Sequence, residues 1–194
     1  MFMKHRLRRQ KPRPKSRRRS EPKILADSQG ALDAAVNEPG GVLVRGGEPD
    51  RPLVIRDRFA VTPVVADDSH VLLTARDPAN PPDAHVVGDN SVVTALDNSR
   101  VTCSGNSVVR AKDHAKVSMY RGRLVAGDQT RCTLSGSSEG MLWGRARCRL
   151  RNSATAVCRE NARAYLYHNA HADVYGSAKA WLKEPTATMR CIDI

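Results

Sequence analysis

The side chains best suited to bind a charged partner are concentrated in residues 1–23, which hold eleven Lys or Arg and a single acid, Glu21. Guanidinium and ammonium groups at this density neutralise phosphates and release their counterions, so the segment predicts binding that weakens steeply as salt rises. The rest of the chain is almost balanced between bases and acids, so the basicity belongs to this arm. The predicted contacts of the arm are Arg6, Arg8, Arg9, Lys11, Arg13, Lys15, Arg17, Arg18 and Arg19.

The composition of the arm leaves its partner open. Nucleic acid is our first expectation, an acidic protein or virion surface is the second, and a role in solubility alone is the third. Three prolines and almost no large apolar side chains predict an arm that is disordered when free, because it cannot bury enough surface to offset its ordering entropy. We expect neither export by a standard signal nor a membrane partner, because no signal-peptide segment follows the bases and no apolar run could span a bilayer.

A second set of bases recurs at an almost constant spacing in the second half of the chain: Arg100, Lys116, Arg131, Arg147, Arg163 and Lys179. If these side chains line up, they extend the anion-binding site of the arm along the body. Alternatively they form a solvated edge, where like charges ~5 Å apart in water repel by only about 1 kcal/mol per pair and discourage aggregation. The sequence slightly favours the solvated edge.

Arginines and aromatic residues are interleaved near the end of the chain. Such a surface can stack on nucleobases or sugars, and exposed aromatics on a flat sheet equally indicate a protein partner. We favour an interface with a second copy or a virion assembly, formed by Arg149, Arg151, Tyr165, Tyr167, Tyr175 and Trp181.

No set of side chains converges on catalysis or metal binding, so we predict no enzyme, no cofactor and no metal. Asp97 and Asp113 share a predicted turn position, where a carboxylate is ordinary turn chemistry. His168 and His171 fall in a predicted turn without further metal ligands nearby. The five cysteines lack CxxC spacing, and four occupy predicted core positions, which indicates reduced, buried thiols.

The elements that position these residues follow an octapeptide repeat. Units such as VTALDNSR (93–100), VTCSGNSV (101–108) and CRLRNSAT (148–155) place apolar residues at positions 1 and 3, turn formers at 5 and 6, and a small residue at 7. A polar residue between two apolar ones predicts a short strand, and a fixed short period predicts stacked coils. Large and small residues compensate between positions 1 and 3, as a packed core of fixed width requires.

The residues at position 8 indicate how many octads form one coil. The bases occupy it in alternate units, and the units between carry Val92, Val108, Leu124, Glu139, Thr155 and His171 there. This alternation predicts that each coil contains two octads. One unit breaks the frame. We place a seven-residue unit at 125–131, with Arg123 as the exception to the small residue at position 7 and Gly127 as a break in the core pattern.

These patterns predict an all-β fold, a parallel β-solenoid or β-helix of octapeptide repeats. The predicted parts are the Arg-rich arm at 1–23, a short capping helix with irregular first coils at 24–84, the octapeptide solenoid at 85–182, and a C-terminal cap or tail at 183–194. Ser28 is the predicted N-cap of the helix, which we place at 29–37.

The units VTALDNSR, VTCSGNSV and ADVYGSAK resemble the octapeptide-repeat proteins of actinobacteria and their bacteriophages, over about half of the chain. The segment ALDAAVNEPGGVLVRGGEPDRPLVI (31–55) looks like the entry of pectate-lyase-like parallel β-helices. The first resemblance implies a phage or high-GC bacterial origin, hence a location in the cytoplasm of a bacterial host or in a virion. It implies no particular chemistry.

Three functional hypotheses follow. The first is a non-enzymatic solenoid scaffold whose arm binds an anionic partner, nucleic acid or an assembly that contains it. The second is a structural or virion protein that self-associates or docks through a solenoid face. The third is a carbohydrate-binding or carbohydrate-cleaving β-helix, as in tailspikes, and it ranks last because the sequence offers no acid cluster.

Overall fold

A computed structural model describes residues 24–35, 41–56 and 64–192, which form one stack of parallel coils. The first coils contain β1 (Ile24–Ala26), α1 (Gln29–Ala34), β2 (Val42–Gly46), β3 (Leu53–Ile55), β4 (Val64–Leu73) and β5 (Asp83–Val86). The regular region then contains β6 (Val92–Ala95), β7 (Arg100–Cys103), β8 (Val108–Ala111), β9 (Lys116–Met119), β10 (Arg123–Ala126), β11 (Arg131–Leu134), β12 (Glu139–Leu142), β13 (Arg147–Leu150), β14 (Thr155–Cys158), β15 (Arg163–Leu166), β16 (His171–Tyr175), β17 (Lys179–Leu182) and β18 (Thr188–Ile192).

The strands form two facing parallel sheets, here called sheet A and sheet B. Sheet A contains β1, β2, the first part of β4 and every odd strand from β5 to β17. Sheet B contains β3, the second part of β4 and every even strand from β6 to β18. Each coil contributes one strand to each sheet, and about ten coils follow one another roughly 16 residues apart. The predicted parallel β-solenoid with two octads per coil is confirmed.

The core is a single narrow column between the sheets. From β6 to β16 positions 1 and 3 point inward, so the burial of each strand alternates with period two. Early coils have Val at position 1 and mostly a small residue at position 3, whereas later coils have a small residue at position 1 and mostly Leu at position 3. Both arrangements bury these side chains. Position 7 is buried at the corners, as Ser, Ala or Thr up to Ser138 and as Ala from Ala146 onward, which explains why it must be small.

Position 5 has a left-handed backbone, which explains its turn-forming residues. In nine regular units its φ lies between 52° and 64°. Gly, Asn and Asp tolerate this region best, and seven of the nine units have one of these three residues. Glu160 and His168 occupy the same conformation with less suitable side chains.

The helix α1 covers the first coil of the stack. The side chain of Ser28 accepts a hydrogen bond from the backbone N–H of Ala31, as an N-cap does. Leu32 is fully buried. The side-chain amide of Gln29 donates to the carbonyl of Val54 and accepts its N–H, at 3.2 and 2.7 Å, which satisfies the free edge of β3. The helix ends at Ala34, and residues 36–37 of its predicted range lie outside the described residues.

The seven-residue unit lies one unit earlier than predicted. Leu124 pairs with Val109 and Gly140 and is 1% exposed, so it occupies position 1 and not position 8. Arg123 is exposed at position 8. The missing residue therefore belongs to the turn at 120–122, and 124–131 is a regular octad with Thr130 at the buried corner. The prediction was wrong because Leu124 and Val125 are both apolar, so the sequence alone does not show which one faces inward.

The coil stack is longer than the strict repeat. It begins at β1, well before residue 85, through coils that are longer than two octads, since Ile24 pairs with Val42 and Val42 pairs with Val64. It also continues after residue 182, because β18 pairs in register with β16. The residues expected to form a C-terminal cap therefore supply a further strand.

Candidate functional site

The recurring bases form one straight column, which we call the basic column. Each is the first residue of a sheet A strand, and Cα pairing joins each to the next across the coils. Adjacent strands are ~4.8 Å apart, so six rungs extend over roughly 24 Å. The column contains Arg100, Lys116, Arg131, Arg147, Arg163 and Lys179.

The six strands of the basic column carry no counter-charge, although Asp83 of β5 lies in register beside Arg100 at the start of the column. All six side chains are exposed, and among the described residues none forms an ion pair or a side-chain hydrogen bond. From β7 to β17 the sheet A strands contain no Asp or Glu. From Lys116 to Lys179 the column therefore presents its charges to solvent with no acidic neighbour on its sheet.

A second outward column, at position 2, runs beside the first. It starts with small hydroxyl side chains and continues with Arg149, Tyr165 and Trp181, each one coil apart. Where Ser118 and Thr133 form the floor, an open depression of about 740 Å³ results, which we call the trough. Its lining comprises Lys116, Val117, Ser118, Arg131, Cys132, Thr133, Arg147, Cys148, Arg149, Tyr165, Tyr167 and Lys183.

Aromatic rings close one end of the trough. Tyr165 and Trp181 stack with their centroids 5.0 Å apart and their planes 14° from parallel. The Lys183 ammonium lies 5.6 Å from the centroid of Tyr165, and the Arg151 guanidinium lies 5.6 Å from that of Tyr167. Cations and rings are thus already paired in a geometry that favours cation–π attraction.

The structure brings together five of the six predicted interface residues, but not Tyr175. Arg149, Arg151, Tyr165, Tyr167 and Trp181 lie on or beside sheet A. Tyr175 ends β16 in sheet B, where its ring lies 5.4 Å from the guanidinium of Arg159. The prediction of one surface was wrong on this point. The two-octad period already separates the two sheets, so the signal was present in the sequence.

Lys183 and Arg145 were not predicted as site residues. Lys183 occupies position 4 of sheet A, the same outward column as Arg151 and Tyr167, so the repeat could have identified it. Arg145 belongs to a second groove along the turns that lead into sheet A. That groove is lined by Asn98, His114, Lys116, Gln129, Arg131, Arg145 and Arg147 and adds further positive charge beside the column.

The predicted arm contacts, Arg6, Arg8, Arg9, Lys11, Arg13, Lys15, Arg17, Arg18 and Arg19, lie outside the described residues.

The turn carboxylates hold the coils together. The carboxylate of Asp113 accepts the backbone N–H of Asp97 at 3.3 Å, and that of Asp128 accepts the N–H of Asp113 at 3.4 Å. Glu160 does the same for Gly144 at 2.9 Å. Each acid thus bonds to the preceding coil, which supports turn chemistry over a carboxylate pair. Among the described residues no group of three or more His, Cys, Asp or Glu is placed to hold a metal ion.

Of the two histidines predicted to lie in a turn, only His168 does so. His168 lies in a turn, and its N–H donates to Glu184 at 3.0 Å. His171 instead begins β16, and its ring lies 2.8 Å from the hydroxyl of Thr188 and 3.2 Å from the carboxylate of Asp173. The hydroxyl, the imidazole and the carboxylate thus form one hydrogen-bonded chain, and Arg190 donates two further hydrogen bonds to the same carboxylate.

The core cysteines are protected thiols. Cys132 and Cys148 pair on adjacent sheet A strands, and all five cysteines are free. Burial raises the pKa of Cys148 well above its ordinary value, with the neighbouring Cys132 adding to the effect. Burial also raises the pKa of Cys158 to about 12. The thiolate needed for nucleophilic attack is therefore strongly disfavoured at neutral pH.

Within the described residues, no helix has the length and apolar character required to cross a membrane.

The chain has an all-β solenoid fold with a one-sided cationic face, and no protein-family model, curated protein or solved structure matches it.

Proposed function

We propose that the protein is a non-enzymatic binding solenoid that holds a polyanion, nucleic acid in the first place, along the basic column of sheet A. The arm at 1–23, with its eleven bases, would supply a second contact to the same partner. The resemblance to octapeptide-repeat proteins adds the further prediction of a bacterial or phage setting.

One observation carries the proposal, namely that the fold does not require bases at position 8. The corresponding column of sheet B holds Val92, Val108, Arg123, Glu139, Thr155, His171 and Thr188, and it stacks in the same register. Six adjacent bases repel one another by about 1 kcal/mol per neighbouring pair in water. A row that costs stability and has no structural necessity is best explained by a ligand, so the structure favours an anion-binding site over a solvated edge.

A second candidate is docking of the solenoid face on another protein or another copy. The partly exposed rings of Tyr165, Tyr167 and Trp181 support it. Two copies of sheet A would, however, bring basic columns together, and like charges oppose such a face-to-face dimer. Analytical ultracentrifugation of a Tyr165→Ser, Tyr167→Ser variant tests this candidate, and an unchanged association state counts against it.

Neutralisation of three central rungs tests the proposed function. We expect Lys116→Gln, Arg131→Gln, Arg147→Gln to weaken binding to a labelled oligonucleotide and to reduce the slope of log affinity against log salt by about two. Arg110→Gln, Arg123→Gln, Arg159→Gln removes the same charge from sheet B and its following turn and is the matched control. Fluorescence anisotropy at several salt concentrations measures both.

Comparison with a chain that lacks residues 1–23 separates the arm from the column. We expect the truncated chain to bind more weakly, and the remaining binding to depend on the three sheet A rungs. Equal losses in the sheet A and sheet B variants would mean that net charge alone drives binding, and the proposal would then be wrong.

A further inference from the structure

The stacked rings of sheet A are oriented to continue their stack into the trough. Tyr165 and Trp181 follow each other along the rod in one column, and their planes are nearly parallel at a centroid separation of 5.0 Å. Because the two rings stack along the rod axis, their planes are roughly perpendicular to that axis. Each ring therefore has one face directed toward each end of the rod. Trp181 covers one side of Tyr165, and the other side faces the preceding coil, where Arg149 lies.

The trough lies on the side of Tyr165 away from Trp181, and the Lys183 ammonium lies over the Tyr165 ring, 5.6 Å from its centroid. Tyr165 lines the trough, whereas Trp181 does not. Arg149 lies in the coil next to Tyr165, and the short side chains of Thr133 and Ser118, two and three coils from Tyr165, form the floor beyond it. A volume of about 740 Å³ is within the range of small-ligand sites. A planar ring that enters the trough and lies over Arg149 would be the next member of the Trp181–Tyr165 stack.

Bases surround this position on three sides. Lys116, Arg131 and Arg147 form one wall, Arg149 lies beside the ring, and Lys183 lies at the rim. The described residues place no carboxylate in the lining. A ligand that matches the trough must therefore combine an accessible planar ring with several negative charges that follow the basic column.

We propose that the trough binds single-stranded nucleic acid, with one base stacked on Tyr165 and the adjoining phosphates along Lys116, Arg131 and Arg147. The inference rests on the proposed polyanion binding and adds to it the chemical class of the ligand. A single strand can place its backbone along a straight row of charges and turn a base onto a ring. A duplex has its bases paired and stacked inside, so it can use the cations but not the ring.

Ligands with and without bases test the inference on the full chain. The probes are a labelled oligothymidylate, an abasic strand of the same length, a duplex and inorganic polyphosphate. We expect the wild-type protein to bind the oligothymidylate roughly tenfold more tightly than the abasic strand, because one stacked base contributes that much. In Tyr165→Leu this preference should disappear, while binding of the abasic strand and of polyphosphate should stay as in the wild type.

Two further variants guard against an unfolded protein. Tyr165→Phe keeps the ring and should retain the preference for bases. Tyr175→Leu removes a ring from the sheet B side and is the matched control, which should bind every probe as the wild type does. Thermal unfolding followed by circular dichroism checks that all three variants have the wild-type fold.

The outcomes separate this inference from the proposed function. Equal affinity of the wild-type protein for the oligothymidylate and the abasic strand, with both dependent on Arg131 and Arg147, overturns base stacking and leaves polyanion binding intact. Duplex binding as tight as single-strand binding and unaffected by Tyr165→Leu would assign the face to double-stranded nucleic acid instead. Absence of binding to all four probes would overturn both proposals.

Discussion

Sheet A and sheet B are built from the same octapeptide, and each strand in the regular region starts with an outward side chain at position 8. On sheet A that side chain is a base in six successive coils, and no Asp or Glu occurs on these strands. On sheet B the residue type at position 8 varies, and opposite charges are paired across the coils at positions 8 and 2. Arg123 lies 3.2 Å from Glu139, and Arg190 lies 3.0 Å from Asp173.

This difference separates what the coil needs from what has been added to it. A coil needs apolar side chains at positions 1 and 3, a small corner at position 7 and a left-handed residue at position 5, and both sheets meet these requirements. It does not need any particular charge at position 8, because sheet B stacks in register with Val, Arg and Glu there in successive coils. The uniform charge of sheet A is therefore the feature that the fold does not explain and that a binding function would explain.

The largest expected effect concerns the interior, where the two sheets should be equivalent. Leu150 points inward from sheet A and Leu142 from sheet B, and both are fully buried. We expect Leu150→Ala and Leu142→Ala each to lower the free energy of unfolding by about 2–5 kcal/mol, because each leaves a cavity in a narrow core. The midpoint of urea unfolding measures the loss.

Met141→Ala is the control for the interior, because Met141 lies on the same strand as Leu142 and its side chain points to solvent. Its effect should stay within about 0.5 kcal/mol. A large loss of unfolding free energy for one leucine variant and a small loss for the other would mean that the two sheets contribute unequally to the core. The sheets would then differ in their interior as well as on their outer faces.

Charge reversal on the outer faces should produce a smaller change in stability and a clear change in binding. Arg131→Glu places a carboxylate between Lys116 and Arg147 and turns two repulsions into attractions. We expect the free energy of unfolding to rise by less than about 1 kcal/mol while affinity for a polyanion falls. Thermal unfolding and anisotropy, measured on the same samples, would show the two quantities moving in opposite directions.

The mirror-image variant is Glu139→Arg on sheet B, which breaks the pair with Arg123. It should lower stability slightly and leave binding at sheet A unchanged. A gain in affinity equal to the loss in Arg131→Glu would show that the whole rod, and not one face, attracts the ligand.

The alternation of bases at position 8 is sufficient to predict most of the fold. It predicts two octads per coil, and from that the straight column from Arg100 to Lys179 follows directly. The same period places Tyr165 on sheet A and Tyr175 on sheet B, and it puts His171 at the start of a strand. The predictions of one aromatic surface and of His171 in a turn were wrong on these two points. Both placements follow from the repeat, so the sequence contained the information for them.

Other features depend on packing that the repeat does not encode. Leu124 and Val125 are equally apolar, and only the fit against Val109 and Gly140 decides which one enters the core. The position of the short unit follows from that choice. The stack of Tyr165 on Trp181 depends on side-chain torsions, which are set by neighbours and not by residue type. The trough was therefore not predictable from the sequence.

The smallest expected effect is the pH response of the sheet B ion pairs. Burial acts to raise the pKa of Asp173, but hydrogen bonds from His171 and Arg190, together with their charges, hold it below its ordinary value of 3.8. A carboxylate whose pKa is lowered by folding stabilises the fold above the pKa of the unfolded chain. That contribution is lost as the pH falls through the lower, folded-state pKa.

We therefore expect Arg190→Gln to raise the pKa of Asp173, followed by NMR titration of its carboxyl carbon. The variant should lose a few tenths of a kcal/mol at neutral pH, since the pair is partly screened by solvent. Below the folded-state pKa the two proteins should be equally stable. Arg163→Gln, at the corresponding edge of sheet A, should show no such acid-dependent difference, because no carboxylate lies on that sheet from β7 onward. An acid-dependent change in Arg163→Gln would mean that the basic column is paired with acids after all, which would remove the contrast between the two faces.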